Sequence, residues 1–317
     1  NWVASSATLQ QTNTAIGTSN WTDASNWSQG SVPIPLDEVQ ISSVVAVTVD
    51  TDINVYNLTL DISSSLTHTG FNVGISGNLS VNGGTMSSSE TDTLFFHGAD
   101  QSINTNFSNS PVVELSGVGT KTLVADLVVL GDLNINEGIT LDANVFTVQL
   151  LSDANWNNMG TFVTNFGTVQ LNGSAHTVNE TNLYDLIING TGEITFANPI
   201  TISGKFEVQD AARIDMGSNQ ITLGNSLDFT ALDTLQFLPG ARFVVNQFMS
   251  PFETGIDDGT PDYYFPTLEV HSNGGVSSAS NLAAYDGDSL YLTGGLYSQN
   301  FVETRLGVNS KLMVEAG

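Results

Sequence analysis

Three carboxylates stand close together in the sequence at Asp257, Asp258 and Asp262, around the turn residue Gly259. Oxygen ligands on a tight loop are what Ca²⁺ prefers. The spacing and the closing acid do not match an EF-hand, so the segment predicts a calcium loop of another kind. The alternative is a solvated insertion loop. Calcium is the one cofactor that this sequence suggests.

Other residue types that carry chemistry are dispersed along the chain. The four histidines stand far apart and form no H-x-x-x-H or H-E-x-x-H motif, at His68, His97, His176 and His271. We therefore expect them at solvated loop or strand positions. The chain has no G-x-S-x-G and no P-loop. Gly117 and Gly190 are interpreted as corner residues rather than as part of a phosphate site.

Arg213 and Asp215 are the best available pair for polysaccharide lyase chemistry. Residues i and i+2 of a strand point to the same side, so this pair is expected on one face. Hydrolase chemistry would instead need paired carboxylates. Acids are the commonest charge in this chain, however, and such pairs arise by chance. We therefore expect that the protein is not an enzyme.

The charge balance excludes several classes of function. The 317 residues include 6 Lys and Arg, 32 Asp and Glu and no Cys, and the formal net charge is −26. Nothing here could replace counterions along a nucleic-acid backbone, and anionic lipid would be repelled. The sequence has no disulfide or thiol chemistry. No apolar run reaches the roughly 18 residues of a membrane span, so membrane insertion is not expected.

Short apolar and polar alternations dominate the chain and predict an all-β fold. Examples are Leu58-Thr59-Leu60, Leu79-Ser80-Val81 and Phe206-Glu207-Val208. A period of two indicates strands with one buried face, and no stretch has the 3.6-residue period of a helix. The residues expected to point inward are Leu79, Val81, Leu133, Ile135, Phe206, Val208, Leu290 and Leu292.

The strands recur in larger units. At one constant offset along the chain, Gly117 matches Gly190 and Leu133 matches Phe206. Weaker copies give four degenerate units, at about 57–111, 112–185, 186–266 and 267–317. Stacked short strands with Gly and Asn corners favour a parallel β-helix (β-solenoid) with loop insertions over residues 38–317. Coils of roughly 20–25 residues are expected, and tandem β-sandwiches are the alternative.

Residues 1–37 differ from the remainder. A polar segment precedes the string that runs from Trp21 through Ala24-Ser25-Asn26-Trp27 to Pro33 and on to Asp37-Glu38-Val39-Gln40-Ile41. Two tryptophans and a proline turn can close the open end of a solenoid and protect its first strand edge. We therefore predict a Trp-rich cap around Trp21 and Trp27. Stacking on carbohydrate is the alternative role for these rings.

This string, W-x-x-A-S-N-W-S-x-G-x-x-P followed by D-x-V-x-I, resembles the opening of large secreted β-helix adhesins and filament proteins of Bacteroidota. Those proteins are type IX secretion substrates. The resemblance implies an extracellular, cell-surface location and a structural or adhesive module within a longer chain. Its partners would be second copies, further segments of the same chain, or a surface glycan. A carbohydrate-active β-helix enzyme or carbohydrate-binding module is the alternative.

The same resemblance implies O-linked glycans, because such proteins are often modified at Asp-Ser or Asp-Thr followed by an apolar residue. Three sites in this chain fit, at Thr93, Thr234 and Ser289. The hydroxyl would point outward while the following Leu points into the core. A sugar there would hydrate the surface and block lateral strand pairing. Chance occurrence in a chain rich in Asp, Ser and Thr is the alternative.

Overall fold

A computed structural model describes this chain continuously over residues 10–105, 111–151, 153–210 and 213–228, and over short segments between 236 and 314. The described residues are almost entirely strands, turns and bends, with one short 3₁₀ helix, η1 (Ala24–Asn26). The predicted all-β class is confirmed. None of the described helical residues makes a segment of the length and hydropathy that a membrane span requires.

The described residues up to 146 contain the strands β1 (Thr12–Ala15), β2 (Ser19–Asn20), β3 (Glu38–Ile41), β4 (Ala46–Thr48), β5 (Ile53–Val55), β6 (Asn57–Leu60), β7 (Ser65–Thr67), β8 (Val73–Ile75), β9 (Leu79–Val81), β10 (Thr85–Ser87), β11 (Thr93–Phe96), β12 (Gln101–Asn104), β13 (Val112–Leu115), β14 (Gly119–Leu123), β15 (Leu127–Val129), β16 (Leu133–Ile135) and β17 (Ile139–Asp142).

The later residues contain β18 (Thr147–Leu150), β19 (Trp156–Asn158), β20 (Thr161–Val163), β21 (Thr168–Leu171), β22 (Ala175–Val178), β23 (Asn182–Leu183), β24 (Asp185–Ile188), β25 (Glu193–Phe196), β26 (Ile200–Ile202), β27 (Lys205–Val208), β28 (Arg213–Asp215), β29 (Gln220–Leu223), β30 (Ser226–Asp228), β31 (Gln236–Phe237), β32 (Arg242–Val245), β33 (Phe248–Met249), β34 (Phe252–Glu253), β35 (Tyr264–His271), β36 (Gly275–Ser278), β37 (Leu282–Thr293), β38 (Leu296–Gln299), β39 (Thr304–Leu306) and β40 (Lys311–Val314).

The chain forms two compact units, of which the first comprises residues 1–146 and 158–162. Its described strands build parallel sheets with the orders β1-β3-β6-β9-β12-β14-β17, β10-β7-β4-β2 and β5-β8-β11-β13-β16. Because successive strands of the chain pass from sheet to sheet, each coil contributes one strand to a sheet and stacks on the coil before it. The unit is therefore a β-solenoid, as the sequence predicts.

The second unit comprises residues 147–157 and 163–317 and is built in the same way. Its sheets have the orders β18-β21-β24-β27-β30-β34, β19-β22-β25-β28-β31, β23-β26-β29-β32-β35-β37-β39 and β33-β36-β38, and β40 also pairs with β37. The strand pairs are again parallel. The tandem β-sandwich, which would need antiparallel sheets, is thereby excluded for the described strands.

The register of paired strands shows how many residues each coil contains, and this number varies from coil to coil. Val169 lies beside Leu186, which makes a short coil, whereas Phe243 lies beside Leu268, which makes a longer one. Insertions between strands lengthen some coils without disturbing the pairing, because the entropic cost of closing a loop grows only slowly with its length. The repeat is therefore regular in space and irregular in the sequence.

Each alternation places one apolar column inside the solenoid. Leu58, Leu79, Ile103 and Leu123 stand in register in the first unit and are completely buried. Burial of such a side chain contributes about 1.5–3 kcal/mol before the entropy of ordering is subtracted. The predicted inward positions are confirmed for Leu79, Val81, Leu133, Ile135, Phe206 and Val208. Leu290 and Leu292 lie in β37, and their side chains are outside the described part of the chain.

The sequence offset that relates Leu133 to Phe206 does not correspond to stacking. Leu133 in β16 pairs with Val113, whereas its sequence match, Phe206 in β27, pairs with Leu186 in a different sheet. The L-x-V pattern is the same on every face of a coil, so an offset can align strands of different sheets. The stacking unit is a single coil.

Parallel pairing also begins before residue 38. Strand β1 lies beside β3 with Thr12 opposite Glu38, and β2 lies beside β4 with Ser19 opposite Val47. Asn13 occupies the inward position that Val39 and Leu58 occupy in the next coils. Because Asn13 is polar, β1 lacks the alternation of apolar residues from which the other strands are predicted.

Candidate functional site

The segment after β1 folds back and covers the outer edge of that strand. The Ile16 amide donates to the Asn26 carbonyl at 2.8 Å, and the Ser28 amide donates to the Thr14 carbonyl at 2.9 Å. Ala15 and Trp27 form an isolated antiparallel bridge. Because unpaired strand edges template pairing with other chains, this segment closes the amino-terminal edge of the solenoid.

Trp21 and Trp27 anchor this cap. Their rings meet edge to face with centroids 4.7 Å apart, and the residues are 2% and 1% exposed. The Asp23 side chain caps η1 by accepting from the Ser25 amide, and its hydrogen bonds to the Ser25 and Ser19 side chains lower the pKa of its carboxyl. The predicted Trp-rich cap is confirmed. Buried rings offer no face to a sugar, so the carbohydrate alternative for these two residues is wrong.

A polar cluster lies on the outer face of the sheet that contains β22, β25 and β28. Arg213 stands opposite Glu193, and its Nε lies 3.5 Å from the Glu193 Oε2. Asp215 stands opposite Thr195, while Ile214 between the two charges is buried. Arg213 and Asp215 therefore share one face, as the alternation predicts.

His176 lies under the edge of this cluster and is nearly completely buried. Its Nδ1 lies 2.8 Å from the Ala154 carbonyl oxygen, and its Nε2 lies 3.1 Å from the Asn172 carbonyl oxygen. Carbonyl oxygens only accept, so the imidazolium alone could donate to both. The ring therefore joins two backbone segments, and neither nitrogen faces the solvent as a catalytic base would.

Asp153 lies one coil before His176, just ahead of β19, which pairs with the His176 strand β22. Its Oδ1 accepts from the amides of Ser174 and Ala175 at 2.9 and 3.0 Å. The Ser174 side chain and amide lower the pKa of this carboxyl, and the charge of His176 adds to that effect. Together with Glu193 and Thr195, Asp153 lines a small cleft. Both acids of this cleft have partners within the chain, Asp153 in the Ser174 and Ala175 amides and Glu193 in Arg213.

Buried polar residues are what sequence reasoning missed. Lys121 is completely buried, and its Nζ donates to the carbonyls of Gly98, Ala99 and Val118 at 2.7, 2.6 and 3.1 Å. Desolvation lowers the pKa of this amine to about 8, against the opposing charge of Asp100. The available signal was the phase of the alternation, since Lys121 stands two residues before the inward Leu123.

The histidine prediction is partly wrong. His97 is exposed, as expected, but His68 and His176 are buried, because both occupy inward or corner positions of a coil. The His68 Nδ1 lies 3.1 Å from the Phe71 carbonyl oxygen, so the neutral ring donates there. Burial lowers the pKa of His68, and Asp92 opposes that shift. The side chain of His271 lies outside the described residues.

The corner interpretation of the matching glycines agrees with their positions. A Cβ on Gly117 would lie 2.2 Å from the His97 carbonyl oxygen, and one on Gly190 would lie 2.1 Å from that of Gly173. Both glycines therefore lie where one coil passes close to the backbone of the preceding coil. This close approach requires glycine and leaves no space for a phosphate.

Thr93 begins β11 and is partly exposed, while Leu94 is completely buried. The geometry that modification would need is therefore present at this site. Asp92 is buried and accepts from the amides of Gly70 and Ser89 at 3.0 and 2.7 Å, so this acid has a structural role. Thr234 and the side chain of Ser289 lie outside the described residues.

The predicted calcium ligands, Asp257, Asp258 and Asp262, also lie outside the described residues. Within the part of the chain that the structure describes, no three His, Asp or Glu side chains gather in a group that could hold a metal ion. The calcium site stays a prediction.

Comparison of the chain with models of protein families, with curated proteins and with solved structures found no match.

Proposed function

We propose that this chain is a structural and adhesive module of a large extracellular cell-surface protein or filament. The observation that carries the proposal is the stacked parallel solenoid with a capped first edge, sealed by the Ala15–Trp27 bridge. Such a stack extends by adding coils, and its corners accept loop insertions. The sequence resemblance to secreted Bacteroidota adhesins supports the same function.

The charge of the chain supports an exposed location. A net charge of −26 keeps a large surface hydrated and opposes non-specific association. Three of the cations whose side chains the structure describes are in ion pairs, since Lys205 pairs with Glu207, Arg213 with Glu193 and Arg242 with Glu269. The partners that we propose are second copies or further coils of the same long chain, and a surface glycan.

Strand β40 supports self-association. It pairs with β37 through one edge, with Leu290 opposite Leu312, and no other described strand pairs with it. A strand edge of this kind templates further pairing. We expect coils of the same chain or a second copy to occupy it. Sedimentation velocity over a hundredfold concentration range tests this, and a single monomeric species throughout would contradict it.

Location is tested on the cells that make the protein. Antibodies against the solenoid should label intact cells, and external protease should remove the label. Labelling that appears only after lysis would overturn the extracellular assignment. Native protein from the same cells tests the O-glycans, because peptides that carry Thr93, Thr234 and Ser289 should then have added sugar mass. Unmodified peptides at all three sites would overturn that expectation.

A carbohydrate-active enzyme or binding module is the alternative function. The exposed Arg213 and the partly buried Asp215 on one outer face favour it, since lyases use a cation near acidic groups. Release of new chain ends from acidic polysaccharide would support the enzyme, provided that Arg213→Gln abolishes it. No release from a panel of acidic polysaccharides would eliminate the enzyme and leave only the binding module as an alternative.

A further inference from the structure

An aromatic pair stands on the surface of the second unit. Phe166 is 67% exposed, and its ring meets that of Tyr184 edge to face, with centroids 5.1 Å apart and planes at 82°. The two residues lie on consecutive coils, just before the registered strand starts Thr168 and Asp185. Exposed apolar side chains that stand singly are common on this chain, but here two aromatic rings are in contact, and contiguous apolar surface is a feature of interaction sites.

The following coil leaves room for the pair. The Gly204 amide donates to the Tyr184 carbonyl at 2.8 Å, so the two backbones are in contact. A Cβ on Gly204 would lie 3.0 Å from the Tyr184 Cε1. The glycine therefore provides the space that the tyrosine ring occupies. Phe166 and Tyr184 together form an aromatic shelf, held on the backbones of stacked coils.

Amide side chains continue the surface beside this shelf. Gln149 and Gln170 stand in register on adjacent strands and point outward, since Val148, Leu150, Val169 and Leu171 between them are buried. The Gln170 Nε2 donates to the Asn172 Oδ1 at 3.0 Å. Amides both donate and accept, and these two stand on adjacent strands roughly 4.8 Å apart. The next outward residue in this register is Ile187, so the amides form a pair, which suits the hydroxyls of a short stretch of sugar chain.

We infer that the aromatic shelf and this amide pair bind a neutral, extended polysaccharide. The inference rests on the adhesive function proposed above and names its ligand class. The C–H face of a sugar ring would pack on Phe166, while its hydroxyls exchange hydrogen bonds with Gln149 and Gln170. Apolar surface with a few placed polar groups is the usual composition of a ligand site. The polymer would lie across the coils.

Charge decides between the candidate occupants. Asp185 and Glu207 lie on the same outer face, and the Lys205 on this face is paired with Glu207. A second copy that docked through this same face would bring its own Asp185 and Glu207 against these acids, and an acidic polysaccharide is likewise anionic, so both would be repelled at this face. A neutral glycan meets no such repulsion.

Affinity electrophoresis of the whole chain tests this inference, with soluble glucan, mannan, xylan and galactan in separate gels and alginate as the anionic polymer. At least one neutral polymer should retard the wild type. Phe166→Ala should weaken that retardation at least tenfold, and Phe166→Trp should preserve it. Tyr56→Ala, at a partly exposed aromatic residue of the first unit, is the matched control and should migrate as the wild type does. Circular dichroism confirms that each variant is folded.

No retardation by any neutral polymer, equal retardation of Phe166→Ala and wild type, or preference for alginate would overturn the inference. These outcomes are independent of the antibody test of location. Surface labelling without glycan retardation removes the polysaccharide site alone, and retardation without surface labelling removes the extracellular assignment alone.

Discussion

The indole Nε1 of Trp27 donates a hydrogen bond of 2.9 Å to the carbonyl oxygen of Trp21. Both residues are buried, so this bond ties the two ends of the cap together where water cannot replace it. The cap in turn holds the segment that pairs with β1. One side-chain bond thus helps to close the first edge of the solenoid.

Replacing Trp27 by Phe should lower the free energy of unfolding by about 1–3 kcal/mol, because the Trp21 carbonyl loses its donor in a buried place. Trp21→Phe is the control, since it keeps the carbonyl and the Trp27 donor and changes only ring volume. Urea unfolding of the two variants measures the difference. Equal losses would show that packing, rather than the hydrogen bond, carries the effect.

Gly192→Ala should destabilise the second unit by at least about 2 kcal/mol. Its Cβ would lie 1.1 Å from the Ser174 carbonyl oxygen, so two coils would have to separate. Gly138→Ala is the comparison, because Gly138 has a φ of +80° and no atom within 4 Å of an added Cβ. That change should cost only the left-handed backbone strain, about 1 kcal/mol. Thermal unfolding that ranks the two in reverse would contradict the stacking.

Because of the buried Lys121, we expect the free energy of unfolding to depend on pH in alkaline solution. Its pKa is about 8 in the folded state and 10.5 in the unfolded chain, so the unfolded chain binds more protons between these values. The unfolding free energy of the wild type, minus that of Lys121→Met, should therefore rise from about pH 8 to pH 10.5. Lys205→Met, at a surface lysine, is the matched control. A difference that stays flat for Lys121 would contradict the desolvated amine.

Because of the buried His68, we also expect the free energy of unfolding to depend on pH in acidic solution. Burial lowers its pKa below 6.5, so on acidification the unfolded chain takes up a proton before the folded chain does. Stability from this residue is complete above pH 6.5 and is lost as the pH falls through the folded pKa. His68→Leu should remove that part of the acid sensitivity, while His97→Leu, at an exposed histidine, should not. Equal acid profiles for His68→Leu and wild type would reject the buried neutral ring.

Calcium should raise the unfolding midpoint if Asp257, Asp258 and Asp262 bind it, because a ligand of the folded state stabilises by mass action. Calorimetry at millimolar calcium, with and without chelator, measures the shift. The triple Asp→Asn variant should show none. An unchanged wild-type midpoint would reject the site.

The strand faces could be predicted because period-two alternation is local. Leu79 and Val81 point inward because alternate residues of a strand point to the same face, and the polar Ser80 between them marks the outer face. The cap was also predictable, because two tryptophans and a proline stand just before the first strong alternation. The aromatic shelf was not, since Phe166 and Tyr184 stand a whole coil apart in the sequence and belong to no local pattern.

The sequence by itself therefore determined the class of fold, the inward residues and the acidic character of the surface. Only the tertiary structure decided which coil lies beside which, and hence that Lys121 reaches the carbonyls of Gly98 and Ala99 in the previous coil. The physical reason is the separation in the sequence between the residues that make contact. Alternation is fixed by adjacent residues, whereas contacts between coils join positions a whole coil apart, and their partners depend on loop insertions that no short pattern encodes.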